Sequence, residues 1–468
     1  MSLDEQREKI KRFEEEIYKE VCRVGREMYK AMLENIDEQL GNERDKNEYR
    51  HKGKRKKTIK TILGEVEYYR NIYMTKETKY VFLLDELMGF EGSGLVSGLL
   101  AEKIAEMICK TSYRGTSEAI STMTGQSISA TGVWNVVQAM GKKVDEIEKT
   151  NAIMARENEG KGEVEVKLLN EEQDGVYLKL QGKDRKQHGK SAEMKVAIAY
   201  AGCKQTGKKR YELTNKVAVA NFETIEKFFY RKEGVIAATF NVDEIDMRIL
   251  NGDGAEWIKR SITDDSVKYQ LDVFHRNKAI REYVSDDEMR EQIFEFLYSK
   301  EIDKLLEYIE ALTNSVEDDK QKENLGKLLT YFTNNKTALI SYKDRGLELP
   351  EAPEGLEYHN LGTMESNIFT IIGNRMKGRR ACWSINGGNN LARLLTLKAS
   401  RKLNETISNL TSVILGEKYS YEIQTPLTAA KSPSAIGSGY NGYTSSPIPQ
   451  LKWGKEIFGL KSFSELKF

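Results

Sequence analysis

The sequence predicts a multidomain chain of mixed α and β structure, with a helical front, a strand-rich middle split by an all-helical block, and a helical return. Three observations carry this. Hydrophobic residues recur at three- and four-residue steps over residues 4–40, alternate at two from residue 163, and return to helical steps from residue 286. The 468 residues, 39% of them hydrophobic, suffice for two to four domains with cores of their own. Finally, residues 246–280 hold two short apolar runs, Met247 to Leu250 and Val267 to Phe274, each ending at a carboxylate set beside glycine or histidine.

Composition excludes several classes of protein. Net charge is +1, from 73 basic and 72 acidic residues, so a nucleic-acid role must rest on local patches and not on a global field. No apolar run approaches the roughly 18 residues of a membrane span. The start, MSLDEQREKIKRF, is charged from the fourth residue and holds no signal-peptide core, so the expected location is the cytosol, with no membrane partner. Cys22, Cys109, Cys203 and Cys382 are far apart and form no CxxC pair, which fits reduced, packed thiols.

Residues 1–48 place Ile10, Phe13, Ile17, Val21, Val24 and Met28 on one face amid dense charge, the pattern of an amphipathic packing or dimerisation arm. Residues 49–90 are a basic β-hairpin region. RHKGKRKKTIK (50–60) carries seven Lys or Arg and no acid, and runs into the alternating TILGEVEYYRNIYM. Lys52, Lys54, Arg55, Lys56 and Lys57 are candidates for DNA phosphate contact, with a merely solvated face as the competing reading. Residues 95–150 predict a helix-turn-helix: a helix near Ser117 to Met123, a turn at Gly125, and a helix from Ser129. Its expected core is Ala119, Ile120, Ile128, Val133, Trp134 and Val137, and the lysine-rich Gly141–Gly162 reads as a connection.

Over residues 163–285 the strands EVEVKLL, GVYLKLQ, MKVAIAYAG and YELTNKVAVANF are followed by the helix TIEKFFYRKEGVIAA and then by the two acid-ended strands. Meandering strands, a helix and further strands are the order of a ribonuclease H-like core. Residues 286–350 interrupt it as an all-helical insertion, and residues 355–415 supply its second part, a helix, a basic turn and another helix. Residues 416–468, rich in Gly, Ser, Pro and Tyr, are a C-terminal extension of flexible or wrapping character.

Three acids stand where such a core would use them: Asp174 opening GVYLKLQ, Asp253 in NGDG at an exposed strand end, and Glu365 opening a helix in MESN. Open α/β sheets bind ligands at the carboxyl ends of their strands, and carboxylates gathered there suit a divalent metal. Two Mg²⁺ ions, with Mn²⁺ as a substitute, held by Asp174, Asp253 and Glu365 would clamp the attacking and leaving oxygens of a displacement at phosphorus. Asp272 and His275 are expected as catalytic accessories that orient the scissile strand, or else as a tie between strand and helix. Arg375, Lys377, Arg379 and Arg380 follow Glu365 closely enough to contact the same DNA, while Trp257 and Trp383 read as core.

Asp174-Gly, Asp253-Gly, LDVFH with Asp272 and His275, and MESN…R.KGRR..WS with Glu365, Arg375 and Trp383 together resemble the DDE transposases of bacterial insertion sequences, the ISLre group allied to the Mutator-like branch. The resemblance covers most of the chain. It implies a ribonuclease H-like catalytic domain with its helical insertion between the second Asp and the Glu, preceded by a helix-turn-helix DNA-binding region. It further implies metal-dependent cleavage and strand transfer of double-stranded DNA, at transposon ends and target, by a homodimer or higher oligomer at the bacterial nucleoid. Glu171 and Glu172 lie close enough to take the place of Asp174 under another strand register. Two other functions fit the same motifs: a catalytically inactive DNA-binding regulator, and a ribonuclease H-like nuclease that cuts without joining.

Overall fold

The computed structural model of the chain describes residues 3–88, 96–124, 126–378 and 380–411. The turn expected at Gly125, the cation Arg379 and the extension from residue 412 onward lie outside these residues. The chain divides into two compact units, one of Met1–Ile104, Tyr113–Val136 and Ser408–Phe468, the other of Ala105–Ser112 and Val137–Ile407. No described helix is long and apolar enough to cross a membrane.

In the first unit a 41-residue helix, α1 (Leu3–Glu43), lies on an antiparallel sheet of β1 (Arg50–Thr61), β2 (Gly64–Met74) and β3 (Tyr80–Val81), and α2 (Leu83–Leu87) follows. The basic run is β1 itself. Leu33 and Ile36 of α1 meet Ile59, Val66, Tyr68 and Leu84, and the buried Asp37 carboxylate accepts both the backbone N–H and Nδ2 of Asn71 at 2.8 Å. Only the second half of α1 is covered in this way: Ile10, Ile17 and Val21 of its predicted apolar face are exposed.

Three helices come next, α3 (Gly98–Ile108), α4 (Tyr113–Thr124) and α5 (Ala130–Arg156). Ser129 starts α5 by accepting the Gly132 N–H on its hydroxyl. The stretch expected as a connection is instead the second half of this 27-residue helix. Its polar residues are not linker-like solvation, for Asp145 and Glu148 bind the guanidinium of Arg393 at 2.6 and 3.1 Å. Trp134 is corrected from core to exposed. Val133, Val136, Val137, Met140 and Val144 make the buried stripe at helical steps, and Trp134 lies about 100° round from Val133.

The second unit is built on a five-stranded sheet of order β10-β9-β4-β5-β8. Its strands are β4 (Leu168–Lys179), β5 (Ser191–Tyr200), β8 (Val217–Asn221), β9 (Met247–Gly252) and β10 (Val267–Leu271), and a separate two-stranded ribbon, β6 (Gly202–Gly207) with β7 (Arg210–Thr214), precedes β8. β4, β5 and β8 pair antiparallel, whereas β9 lies parallel to β4 and β10 parallel to β9. The helices between strands are α6 (Gly182–His188), α7 (Ile225–Ala237) and α8 (Glu256–Lys259). Then α9 (Val273–Tyr283), α10 (Asp287–Tyr298), α11 (Ile302–Ser315) and α12 (Asp319–Thr333) bury a core of their own around Ile280, Ile293, Leu305, Ile309, Leu328 and Phe332. After this block come α13 (Met364–Ile368), continued as a wide π-helical segment over Phe369–Lys377, α14 (Ile385–Ala399) and α15 (Leu403–Thr411).

Two strand expectations change. Of EVEVKLL only Leu168 and Leu169 are strand, and they are continuous with GVYLKLQ, since β4 runs unbroken through the polar Asn170–Asp174. The long strand expected over YELTNKVAVANF is divided, its first part pairing in the β6–β7 ribbon and its second entering the main sheet as β8.

Candidate functional site

The polar run in β4 organises the site because successive residues of a strand face opposite sides of the sheet. Glu171 points to one side, where its carboxylate lies 2.6 Å from Lys232 Nζ and 3.3 Å from Arg248. Glu172 and Asp174 point to the other. There the two acids have different surroundings although they are two residues apart.

Glu172 is fully buried and saturated with donors. Its Oε2 accepts the backbone N–H groups of Gly362 and Thr363, each at 2.9 Å, and Asn251 Nδ2 at 3.1 Å. Its Oε1 accepts the hydroxyls of Thr363 at 2.7 Å and Tyr200 at 2.9 Å. Since Gly362 and Thr363 lead into α13, Glu172 ties the Glu365-bearing helix to the central strand. Asn251 Nδ2 also donates to Asp272 Oδ2 at 2.8 Å, and Asp272 Oδ1 accepts the His275 N–H at 3.1 Å as the N-cap of α9. His275 Nε2 in turn lies 3.2 Å from Asp174 Oδ2. A single hydrogen-bonded path therefore runs from α13 through Glu172, Asn251, Asp272 and His275 back to Asp174.

At the end of that path Asp174, His275 and Glu365 converge, each offering a ligand atom within 4.8 Å of the others. Asp174 is buried, His275 half-buried and Glu365 exposed in the first turn of α13. Asp253, one residue beyond β9, is half-buried where the sequence suggested full exposure, and it stands outside that group of three. Burial, together with repulsion from Asp174, raises its carboxyl pKa above the ordinary value against the pull of the Ala255 N–H. The hydrogen bond to Asp174 raises the His275 pKa above the usual imidazole value and outweighs its partial burial.

The loop that presents Asp253 is clamped by two tyrosines. Tyr269 of β10 donates to the Gly252 carbonyl at 2.9 Å, and Tyr331 of α12 donates to the Asp253 carbonyl at 2.7 Å, so the helical block reaches the acid loop directly. Gly254 has φ +95° with Tyr331 beside it, and an L side chain there would be strained in both backbone and space. A further acid, Glu193 of β5, was invisible in the sequence. Its carboxylate lies over Gly175, where a Cβ would stand 2.0 Å from Glu193 Oε1, and burial followed by repulsion from Asp253 and Asp174 raises its pKa. Alternation along one strand cannot flag such a residue; only the pairing of β4 with β5 brings it to the acids.

The basic residues divide between free and engaged. In β1, Lys54, Arg55 and Lys56 are exposed, but Lys56 pairs with Glu67 at 2.6 Å and Lys57 with Asp85 at 2.9 Å, an acid already held by Arg70. Lys52 and Lys54 carry no ion pair among the described residues. Arg375 is turned inward, donating from Nε to the Ile108 carbonyl at 2.8 Å with its guanidinium 5.6 Å from the Trp383 ring centre. Lys377 and Arg380 are exposed, and Trp257 and Trp383 are buried.

A family model described as "Uncharacterised protein family (UPF0236)" matches residues 3–406. A UPF0236 protein of Caldanaerobacter subterraneus subsp. tengcongensis, whose name runs to eleven locus designations, is 24% identical over 327 residues. The match covers 69% of this chain, which spans just under two thirds of that relative's length, 66%. A second protein of the same organism, its name running to four loci, is 23% identical over 327 residues, 69% of this chain and 66% of its own. A "UPF0236 protein in vanSb 3′ region" of Streptococcus gallolyticus is 24% identical over 411 residues, 84% of each chain.

Proposed function

The chain belongs to the uncharacterised protein family UPF0236, and we propose that it is the transposase of a bacterial insertion sequence, cutting and joining DNA with divalent metal. The observation that carries this reading is the convergence of Asp174, His275 and Glu365 within 4.8 Å from a central strand, a helix after β10 and a helix beyond the helical block. The sheet supports it: three antiparallel strands, then two parallel ones, with the first strand central, which we read as ribonuclease H-like. A relative whose name spans eleven loci of one organism supports it too, since a self-copying element multiplies its own gene.

The donor set fits a hard cation. Asp174 and Glu365, joined by Asp253, offer carboxylate oxygens of the kind Mg²⁺ and Mn²⁺ prefer, and a cation there would offset the burial and the repulsion from Asp174 that raise Asp253. When bound, two such ions would supply Lewis-acid stabilisation of the attacking and leaving oxygens at phosphorus. His275, raised by Asp174 toward its protonated form, can present a proton to a phosphate oxygen and hold the scissile strand in line. Glu172 and Asp272 touch no substrate in this reading; they hold α13 and α9 where Glu365 and His275 are needed. Holding two DNA ends at once calls for a homodimer or higher oligomer on the DNA, in the bacterial cytoplasm.

The test uses labelled duplexes taken from the DNA flanking the coding sequence, a supercoiled plasmid, the full chain, and Mg²⁺ or Mn²⁺. End-to-plasmid joined product is the expected result. Cleavage without joining would identify a nuclease, and end binding without either reaction an inactive regulator.

A further inference from the structure

The segment CKQTGKKRYELTNK (203–216) holds five basic residues, Lys204, Lys208, Lys209, Arg210 and Lys216, against the single acid Glu212. It folds as the β6–β7 ribbon, pairing Lys204 with Glu212 and Gln205 with Tyr211, and an irregularity before Gly207 turns the chain over at Lys208 and Lys209. Lys209 has φ +60°, and Lys208, Lys209 and Arg210 are all exposed at the tip. The base is fixed to the body of the unit by reciprocal backbone bonds between Cys203 and Glu357, both 2.9 Å.

Beside this ribbon lies a cavity of about 1230 Å³ lined by Lys204, Tyr211, Lys216, His359 and Lys402, among others. Lys216 donates to Asn367 Oδ1 at 3.0 Å and Lys402 to Thr239 Oγ1 at 2.7 Å. Neither partner balances a charge, and partial burial pushes both ammonium groups below the ordinary lysine pKa, for Lys402 against the pull of Glu405. The other cations of the wall are matched, Arg401 by Glu212 and Lys161 by Asp243. Among the described residues Lys204, Lys208, Lys209, Arg210, Lys216 and Lys402 form no ion pair. Tyr211 is 44% exposed, its ring 4.0 Å from that of His359, so an aromatic face stands among the cations.

We propose that the β6–β7 ribbon and the cavity beside it grip the phosphate backbone of DNA, separately from the acid cluster and from the basic run of β1. Half-buried cations that form no ion pair gain from an anion, and phosphate oxygens accept several such donors at once. The row from the ribbon tip to its base is about five residues long, roughly 15 Å at about 3.3 Å per residue, which is too long for one phosphate and matches several along a strand. The exposed ring offers a base a stacking surface. The cavity also reaches the catalytic helix of the proposed function, for Asn367, which receives Lys216, is in α13 with Glu365. This inference takes from that reading only that the substrate is DNA.

Fluorescence anisotropy of the full chain on a labelled mixed-sequence duplex, over a salt series, tests it. Lys208→Gln/Lys209→Gln/Arg210→Gln and Lys216→Gln/Lys402→Gln are compared with the parent, each with a thermal melt. Each phosphate contact removed should lower the slope of log K against log salt by roughly 0.9, so the ribbon variant should lose about two to three units of slope and the cavity variant one to two. The ribbon residues are exposed, so that variant decides the matter should the cavity variant melt early. Parent binding with unchanged slope in the ribbon variant overturns the inference and leaves the catalytic reading untouched. Slope lost in the variants while the parent never cuts DNA overturns the catalytic reading and sustains this one. Tighter binding to duplex RNA, or displacement by polyglutamate as readily as by DNA of equal charge, also overturns it.

Discussion

The acids about Glu171 and those about Asp174 lie toward opposite faces of the same strand, and they differ in what balances them. On the Glu171 face, Lys232 reaches both Glu171 and Glu233 at 2.6 and 2.8 Å, and Arg248 bonds the same two carboxylates at 3.3 and 2.7 Å. Burial alone would raise Glu233, but Lys232 and Arg248 beside it bring its carboxyl down to about 2. Around Asp174, the carboxylates of Asp174, Asp253 and Glu365 form no ion pair with Lys or Arg among the described residues, and His275 lies 3.2 Å from Asp174. The first group is complete as it stands. The second holds carboxylates without a Lys or Arg partner among the described residues, a surplus of charge that the proposed cations would balance.

The largest expected effects break this contrast at the open group. Asp174→Asn, Asp253→Asn and Glu365→Gln should each lower cleavage and joining by about 10³-fold or more, since a lost metal carboxylate removes several kcal/mol of transition-state stabilisation. DNA binding should stay. The same acid-to-amide change at Glu172 should do far less. In Glu172→Gln the amide oxygen still accepts from Gly362 and Thr363, and the new NH₂ can donate to the hydroxyls of Thr363 and Tyr200, both of which also accept. Rates within about tenfold of the parent are expected for this variant, that is, within about 1.4 kcal/mol. Equal losses at residues 172 and 174 would erase the distinction between anchor and ligand.

Lys232→Met tests the closed group. It leaves Glu171 and Glu233 buried without one of their cations, and stability should fall by about 3–5 kcal/mol in urea unfolding. Because the Glu233 pKa is depressed in the folded state, its contribution is complete above the unfolded value and is lost as pH falls toward about 2. The parent should therefore hold its advantage over Lys232→Met at neutral pH and surrender it in acid. A variant as stable as the parent would show that these charges merely accompany the fold.

Legibility in the sequence follows the same division. Asp253, Asp272 and Glu365 sit beside strand ends and a helix start, where Gly, Asn and capping patterns mark them. Asn170–Asp174 could not be read as one strand, because five consecutive polar residues in a central strand make sense only with their partners present: Tyr200, Lys232, Arg248, Asn251 and Ser261. Glu193, and the anchoring role of Glu172, were missed for that reason. Their roles depend on residues up to 191 positions away and on sheet pairing, not on local pattern. Arg375 misled in the opposite sense, its place in a basic turn concealing a contact with the Ile108 carbonyl.

His275→Ala should have a smaller effect than loss of an acid, about 10²-fold in the chemical step, with metal dependence and DNA binding kept. Its pKa is raised in the folded state by Asp174, so the stability it contributes is complete below about pH 6.5 and is lost as pH rises through the folded value. Melting of metal-free parent and variant should thus differ most at mildly acid pH and converge in alkali. A variant that melts early at every pH and also loses DNA would assign His275 to the joint between β10 and α9 instead.

The smallest effect carries the comparison to the first unit, where charges without an acid partner give way to engaged ones along β1. Lys57 is paired with Asp85, and Lys56 with Glu67, while Lys54 and Arg55 are exposed without an acid partner among the described residues. If β1 contacts DNA, the free cations should do so and the engaged ones should not. Lys54→Gln/Arg55→Gln should lower the salt slope by up to about 1.8, at roughly 0.9 per contact, with melting unchanged. Lys57→Gln should leave the slope alone and lower stability, since Asp85 would keep only Arg70 in a half-buried position. The two measurements on the two variants form a crossed pair. Equal slope changes would mean that Lys57 leaves Asp85 to meet phosphate, and no change in either would make the run a solvated face, with the β6–β7 ribbon left as the DNA-gripping surface.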